Sequence, residues 1–239
     1  IKLNDGGDKF NYYLTGKNVW TPIGDYWHSF SGVFDGDGHT VSGVYINNRE
    51  DYQGLFGRND RTIKNLGVID SYVRGGSNVG GVVGRGSTVT NCYNTGTISG
   101  SGENSHVGGV VGYGDEVTNC YNTGTVSGSG ENSHVGGVVG DGFRATITNC
   151  YNTGTISGSG ERSYVGGVVG DGSYSTITNC YNTGTISGSG ERSYVGGVVG
   201  DGSSSTITNC YNTGTVGGVY EVGGVVGYGS TVTNCYNTG

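Results

Sequence analysis

The sequence predicts an all-β fold: a parallel β-solenoid (β-helix), right-handed, of about eight coils with repeats of about 22–30 residues. Three observations predict it. First, the stretch TITNCYNTGTISG at residues 176–188 recurs almost letter for letter. Its cysteines, Cys92, Cys120, Cys150, Cys180, Cys210 and Cys235, follow one another at steps of 28, 30, 30, 30 and 25 residues. A steady period in this range marks a stacked repeat array. Second, T-I-T and T-G-T-I alternate with period two, and the units are rich in threonine, valine, isoleucine and tyrosine, which suit a pleated surface. Third, helix formers are scarce in the repeats, and glycine fills 53 of 239 positions, its pairs marking corners. Identical strands of successive coils then stack in parallel about 4.8 Å apart, which makes a rod on the order of 40 Å long. The preferred hand of parallel crossovers sets the expected hand of the coil.

Composition narrows the function classes. Pro22 is the single proline, which excludes collagen and polyproline readings. No apolar run approaches the 18 or so residues of a membrane span, so no membrane insertion is expected. The formal charge of −7 argues against nucleic acid or anionic lipid as a partner. The chain opens at Ile1 and holds no methionine, which reads as a processed product or an excised segment.

Residues 1–30 do not repeat. They carry Trp20 and Trp27 with Phe10, Tyr12, Tyr13 and Phe30, and are expected to form an N-terminal cap or an inter-subunit adaptor. A sugar-binding aromatic cluster is the sharper alternative. Residues 31–78 hold degenerate coils and residues 79–239 regular ones, in one continuous domain. SGVFDGDGHTVSGVYI and GLFGRNDRTIKNLGV align with GGVVGRGSTVTNCYN, which puts Val44 and Leu66 in the cysteine column. A column of Val, Leu and six Cys is apolar, so the cysteines point inward as small hydrophobes, with free thiols. Tyr45, Gly67, Tyr93, Tyr121, Tyr151, Tyr181, Tyr211 and Tyr236 form the next column, at or near the surface. GGVVG supplies a second core pair, from Val33/Phe34 and Leu55/Phe56 through Val225/Val226.

The asparagine before each cysteine, at Asn65, Asn91, Asn119, Asn149, Asn179, Asn209 and Asn234, is expected to form a corner ladder of stacked amides. Inserts at 100–106, 128–134, 158–164 and 188–194 are the variable loops, with Glu161 and Glu191 set near Arg162 and Arg192.

Signals of chemistry are weak. Asp141, Asp171 and Asp201 form a column that could supply the paired carboxylates of a glycosidase or lyase, but they are copies, and an active site is a unique constellation. Asp35 and Asp37 in FDGDG read as a tight turn, since a lone D-x-D-G lacks a calcium ligand set. His28, His39, His106 and His134 are too scattered in sequence for a zinc site. No catalytic residue, metal or cofactor is therefore expected. Threonines offer a binding face. T-x-T recurs from Thr88/Thr90 to Thr231/Thr233, and T-G-T gives Thr95, Thr97, Thr123, Thr125, Thr153, Thr155, Thr183, Thr185, Thr213 and Thr215. Flat threonine stacks resemble the ice-binding faces of some β-solenoids.

At GGVVG…ITNCYNTGTISG the sequence resembles the GLUG-motif repeats of bacterial secreted and surface proteins, closely over 79–239 and loosely over 31–78. The segment from Trp20 to Thr40 is similar to the one that often precedes such repeats. The resemblance implies a large, exported, multi-repeat protein, often adhesin-like, on the cell surface or outside the cell, and carries over no catalytic residue. Valine in GGVVG, where the family more often has leucine, is a conservative departure. The expected function is thus a non-enzymatic extracellular stalk, adhesin-type module or head-to-tail filament subunit, with ice or glycan binding as the alternative and a polysaccharide-active enzyme third. Its expected partners are a further copy end to end, adjoining repeats of a longer polypeptide, or surface glycans. The last coil ends at NCYNTG, Asn234 to Gly239, with no capping element after it. An uncovered end of this kind is expected to template association.

Overall fold

Residues 151–180 show how one sequence unit makes one coil. Tyr151–Asn152, Thr155–Gly158, Tyr164–Gly166, Val169–Asp171 and Thr176–Thr178 are short strands. Along them, buried Ile156, Val165, Val169 and Ile177 alternate with side chains turned outward. The breaks fall where the backbone turns left-handed. Arg162 (φ 54°), Tyr174 (φ 60°) and Asn179 (φ 56°) all adopt αL geometry, a region that favours glycine and asparagine. The 30-residue step then repeats the path one level up. Val139 pairs with Val169 and that with Val199, Ile147 with Ile177 and Ile207, Ile156 with Ile186, and Val165 with Val195, all parallel and in register.

The computed structural model describes residues 1–4, 18–229 and 231–239. It is a parallel β-solenoid of three faces, with no helix among the described residues. The first face carries the GGVVG, T-x-T and Tyr-Asn strands. The second is a seven-stranded sheet containing the T-I-S-G strands, and the third a six-stranded sheet containing the strands that begin at His106, His134, Tyr164 and Tyr194. The axial core is made of fully buried Val, Ile, Leu, Phe and Cys side chains from Val41 to Cys210.

Two amide ladders run along the rod. The exposed one is Asn65 to Asn234. Each Asn Nδ2 donates to the Oδ1 of the preceding coil over 2.6–3.2 Å. All seven residues also sit in αL, with φ between 53° and 56°, so asparagine serves the corner twice. The second ladder is buried: Asn94, Asn122, Asn152, Asn182 and Asn212. There Nδ2 donates to Oδ1 of the following coil over 2.7–2.8 Å. Asn152 also accepts from Gly154 N at 3.1 Å and donates to Gly154 O at 3.0 Å. Both donors and both lone pairs of that amide are therefore used. Gly154 has no substitute, since a Cβ would lie 1.9 Å from the carbonyl of Gly124.

The first coil departs from its expected alignment. Phe34 pairs with Ile63 rather than joining the Phe56 column, and Val33 is 65% exposed. Ile23 takes the level beside Phe56. Thr40 pairs with Gly67, and Tyr45 with Tyr72, so Val44 and Tyr45 lie on the second face and outside the cysteine and tyrosine columns; Val44 is nonetheless buried. Leu66 does pair with Cys92 and Gly67 with Tyr93. The physical reason is the DGDG excursion. Residues 34 to 40 span the corner that residues 63 to 67 span with two fewer, so letter similarity between SGVF and GGVV misreads the level. The described part of residues 1–30 lies along these first coils. Lys2 bridges to Ser42, Trp20 Nε1 donates to Leu55 O at 3.0 Å, and the Phe30 ring packs tilted against Phe56 with centroids 5.4 Å apart. Phe10, Tyr12 and Tyr13 lie outside the described residues.

The two ladders differ in what they carry, and urea denaturation should separate them. Asn149→Gly keeps the αL corner and loses two exposed amide bonds, to Asn119 and from Asn179, for about 0.5–1 kcal/mol. Asn149→Ala adds the αL penalty of about 1–2 kcal/mol. Asn152→Ala leaves buried polar groups of three residues unpaired and should cost about 3 kcal/mol or more. Equal midpoints for Asn149→Ala and Asn152→Ala would contradict this order.

Candidate functional site

The column residues come first. Cys92, Cys120, Cys150, Cys180 and Cys210 are buried and Cys235 is half-buried; all six are free thiols. Each points into the core while its Sγ–H reaches the carbonyl two residues back, as Cys150 does to Thr148 O at 3.4 Å. Burial pushes the Cys120, Cys150 and Cys180 thiols well up, away from the reactive thiolate. The neighbouring tyrosines form a stack, half-buried from Tyr93 to Tyr211 and exposed at Tyr236, with ring centroids 4.7–5.1 Å apart and planes within 4°. Inside this stack the ring faces cover one another, so the rod presents ring edges and hydroxyls.

The T-G-T threonines are exposed, apart from half-buried Thr97. They do not share one strand, however. Thr155 begins a second-face strand, whereas Thr153 and Gly154 lie in the turn that follows Tyr151–Asn152 on the first face, held by the Asn152 amide. The two columns therefore flank a corner. The T-x-T columns do share a strand: Thr146 and Thr148 stand either side of buried Ile147 and pair in register with Thr176 and Thr178.

The aromatic group near the N-terminus divides. Trp20 and Phe30 lie against the core. Trp27 is 81% exposed and meets Tyr26 edge to face at 4.8 Å, with Tyr52 5.9 Å from Tyr26. Tyr26, Trp27 and Tyr52 line a shallow cleft of about 650 Å³ with Arg49, Asp51 and Gln53. At the FDGDG turn, Asp35 accepts from Asn65 Nδ2 at 2.9 Å and Asp37 N at 3.0 Å, and pairs with Lys64 at 3.1 Å. Those contacts, that of Asn65 above all, hold its carboxyl down at about 2, and a tight turn uses up its oxygens. In the inserts Arg162 Nη1 lies 3.6 Å from Glu131 and its Nε 3.8 Å from Glu161.

The histidines are the correction. His106 and His134, far apart in sequence, are stacked in one column with ring centroids 5.0 Å apart. His106 Nε2 is 3.3 Å and His134 Nδ1 is 3.2 Å from the same oxygen, Oδ2 of buried Asp141. Asp171 Oδ2 is 3.7 Å from His134 Nδ1. Asp141 Oδ1 accepts from Phe143 N at 2.8 Å, and the same turn recurs at Asp171–Ser173 and Asp201–Ser203. Burial pushes the His106 ring down to about 4, so it is neutral near pH 7. Burial also pushes the Asp141 carboxyl up, but the His134 hydrogen bond and the imidazole charges outweigh it and the net shift is down. Asp171 shifts up, chiefly through burial. Linear separation hid this cluster, but the column register reveals it: His134 and Asp141 flank one GGVVG, and His106 stands 28 residues before His134. The buried asparagine ladder was legible in the same way, from N-T-G, in which Asn reaches its own backbone two residues on.

Comparison with known proteins places these repeats. The GLUG motif matches residues 103–127, 131–157, 161–187 and 191–217. Halomucin of Haloquadratum walsbyi is 39% identical over 77 residues, 30% of this chain, and the match spans 1% of halomucin's length. A crystal structure from Bacteroides ovatus, of a proposed immunoglobulin A1 protease, superposes with a TM-score of 0.67 at 21% identity, covering 93% of this chain and 74% of that one. At that identity the likeness is one of fold.

The thiol geometry gives a direct expectation. In native protein the five buried cysteines should resist iodoacetamide and react together once the rod is unfolded. Rapid native labelling, read residue by residue by mass spectrometry, would contradict the inward column.

Proposed function

This chain is a GLUG-repeat protein, and from that premise we propose that it acts as a non-enzymatic extracellular β-solenoid: a rigid spacer in a surface stalk or adhesin-type protein. One observation carries the reading. From Val83 to Tyr236, successive coils pair in register, and the ladders of Asn, Cys and Tyr repeat with them. An array of this kind adds length without adding a new side-chain constellation at each coil. Its side chains stack chiefly on their own copies, which supports a mechanical role. Head-to-tail association of two such arrays, repeated, would give an open filament.

The test combines electron microscopy with turnover assays. Short straight rods are expected, together with no release of reducing ends from polysaccharides and no peptide-bond cleavage of immunoglobulin A1. Turnover abolished by Asp171→Asn would overturn the non-enzymatic reading. A second reading, ice or glycan binding, is favoured by the exposed threonine columns. Thermal hysteresis lost in Thr148→Lys and Thr178→Lys would establish it for ice.

A further inference from the structure

We propose that His106, His134 and Asp141 form a binding site for a divalent transition-metal ion of the zinc class. The site arises where two columns overlap. One column reads Asn78, His106, His134, Tyr164, Tyr194 and Glu221, since the valine or glutamate registers fix the level of each residue. The other reads Arg58, Arg85, Tyr113, Asp141, Asp171, Asp201 and Tyr228. Histidine occupies two levels of the first and aspartate three of the second. Among the described residues, two histidines and a carboxylate meet at this one place. The rod is repetitive, so a constellation occurring once is the kind of feature that a stacking role leaves unexplained.

Hydrogen bonding points to a cation. Asn78 is oriented by its Nδ2 donating to Ser77 Oγ at 3.3 Å, and its Oδ1 therefore accepts from His106 Nδ1 at 3.2 Å. With Nδ1 held by Asn78, Nε2 is the ring atom turned toward Asp141 Oδ2, 3.3 Å away. A ring nitrogen and a carboxylate oxygen thus converge on one point, where a cation would be held by both. His134 Nδ1 faces the same oxygen from the other side at 3.2 Å.

The distances suit such an ion. Metal–nitrogen and metal–oxygen bonds of about 2.0–2.1 Å in a tetrahedral site place neighbouring ligands roughly 3.3 Å apart. Two edges of the cluster already have that length, and all three donor atoms lie within 4.8 Å of one another. The Asn78 contact on His106 is the outer support that ligating imidazoles usually carry. The two imidazole donors favour zinc, cobalt, nickel or copper over calcium or magnesium. His106, His134 and Asp141 keep side-chain exposures of 22%, 15% and 9%, so the site is set into the wall of the rod with solvent within reach for a fourth ligand.

The test uses the whole chain without a histidine tag. Cobalt(II) titration should give one equivalent, with the visible bands of a low-symmetry nitrogen–oxygen site, displaced by zinc(II) in calorimetry. The site should also raise Tm as free zinc rises. His106→Tyr and His134→Tyr place the chain's own residue from 164 and 194 in the same column, so the coil accommodates them. Each should weaken binding by more than the ~10–100-fold seen when outer support alone is lost. Asp141→Asn, nearly isosteric, is the second probe and should do the same, while His28→Gln and His39→Gln leave the affinity unchanged. No stoichiometric cobalt or zinc binding by the wild type would overturn the proposal. So would wild-type affinity in the folded His106→Tyr, His134→Tyr and Asp141→Asn chains.

Discussion

Parallel pairing between successive coils sets each residue about 4.8 Å from its counterpart one repeat away, and the rest of this structure follows from that spacing. A side chain in a regular column must tolerate its own copy above and below. Valine and isoleucine do so by interdigitation, and tyrosine by stacked rings 4.7–5.1 Å apart. Asparagine does so because an amide is both donor and acceptor. A charged column has no such self-complement. The aspartates at 141, 171 and 201 illustrate the difficulty: burial raises the Asp171 carboxyl, and like charge on Asp141 adds to the effect. Near the inserts, Arg162 relieves Glu131 and Glu161 by falling between them.

The same constraint decides what the sequence could reveal. Columns that repeat, such as Cys92 to Cys235, are visible because each copy confirms the others, and an inward direction follows once Leu66 is seen to pair with Cys92. The first coil was not legible, because level is fixed by backbone path and DGDG lengthens that path at one corner. The T-G-T motif misled in another way. Its alternation is that of a strand, but the intervening glycine lies beneath the Asn152 amide, and the chain turns there. His106, His134 and Asp141 escape any linear reading, since 28 residues separate the rings and a column register brings them together.

Repetition and chemistry stand in opposition along this rod. Where the units copy one another, the surface offers ring edges, hydroxyls and amides at a regular pitch, well suited to rigidity and poorly suited to a reaction centre. Departures from the repeat are few: the aromatic cleft at Tyr26, Trp27 and Tyr52, and the histidine levels at 106 and 134. A scaffold built this way can acquire a site by changing single letters in otherwise constant columns, without disturbing the hydrogen bonds that hold the coils together.

The exposed asparagine ladder has a sense of direction. Every amide in it hands a hydrogen toward the N-terminal side, from Asn234 down to Asn65, and Asn65 hands its own to Asp35. An ionised carboxylate receives without passing anything on. The chain of polarised amides is therefore terminated by an anion at the end toward which its positive ends point, with Lys64 balancing that anion at 3.1 Å. The buried ladder, from Asn94 to Asn212, hands its hydrogens the other way. The two series of amide dipoles oppose each other, so the rod can lengthen coil by coil without the net axial moment that a single polarised column would build up.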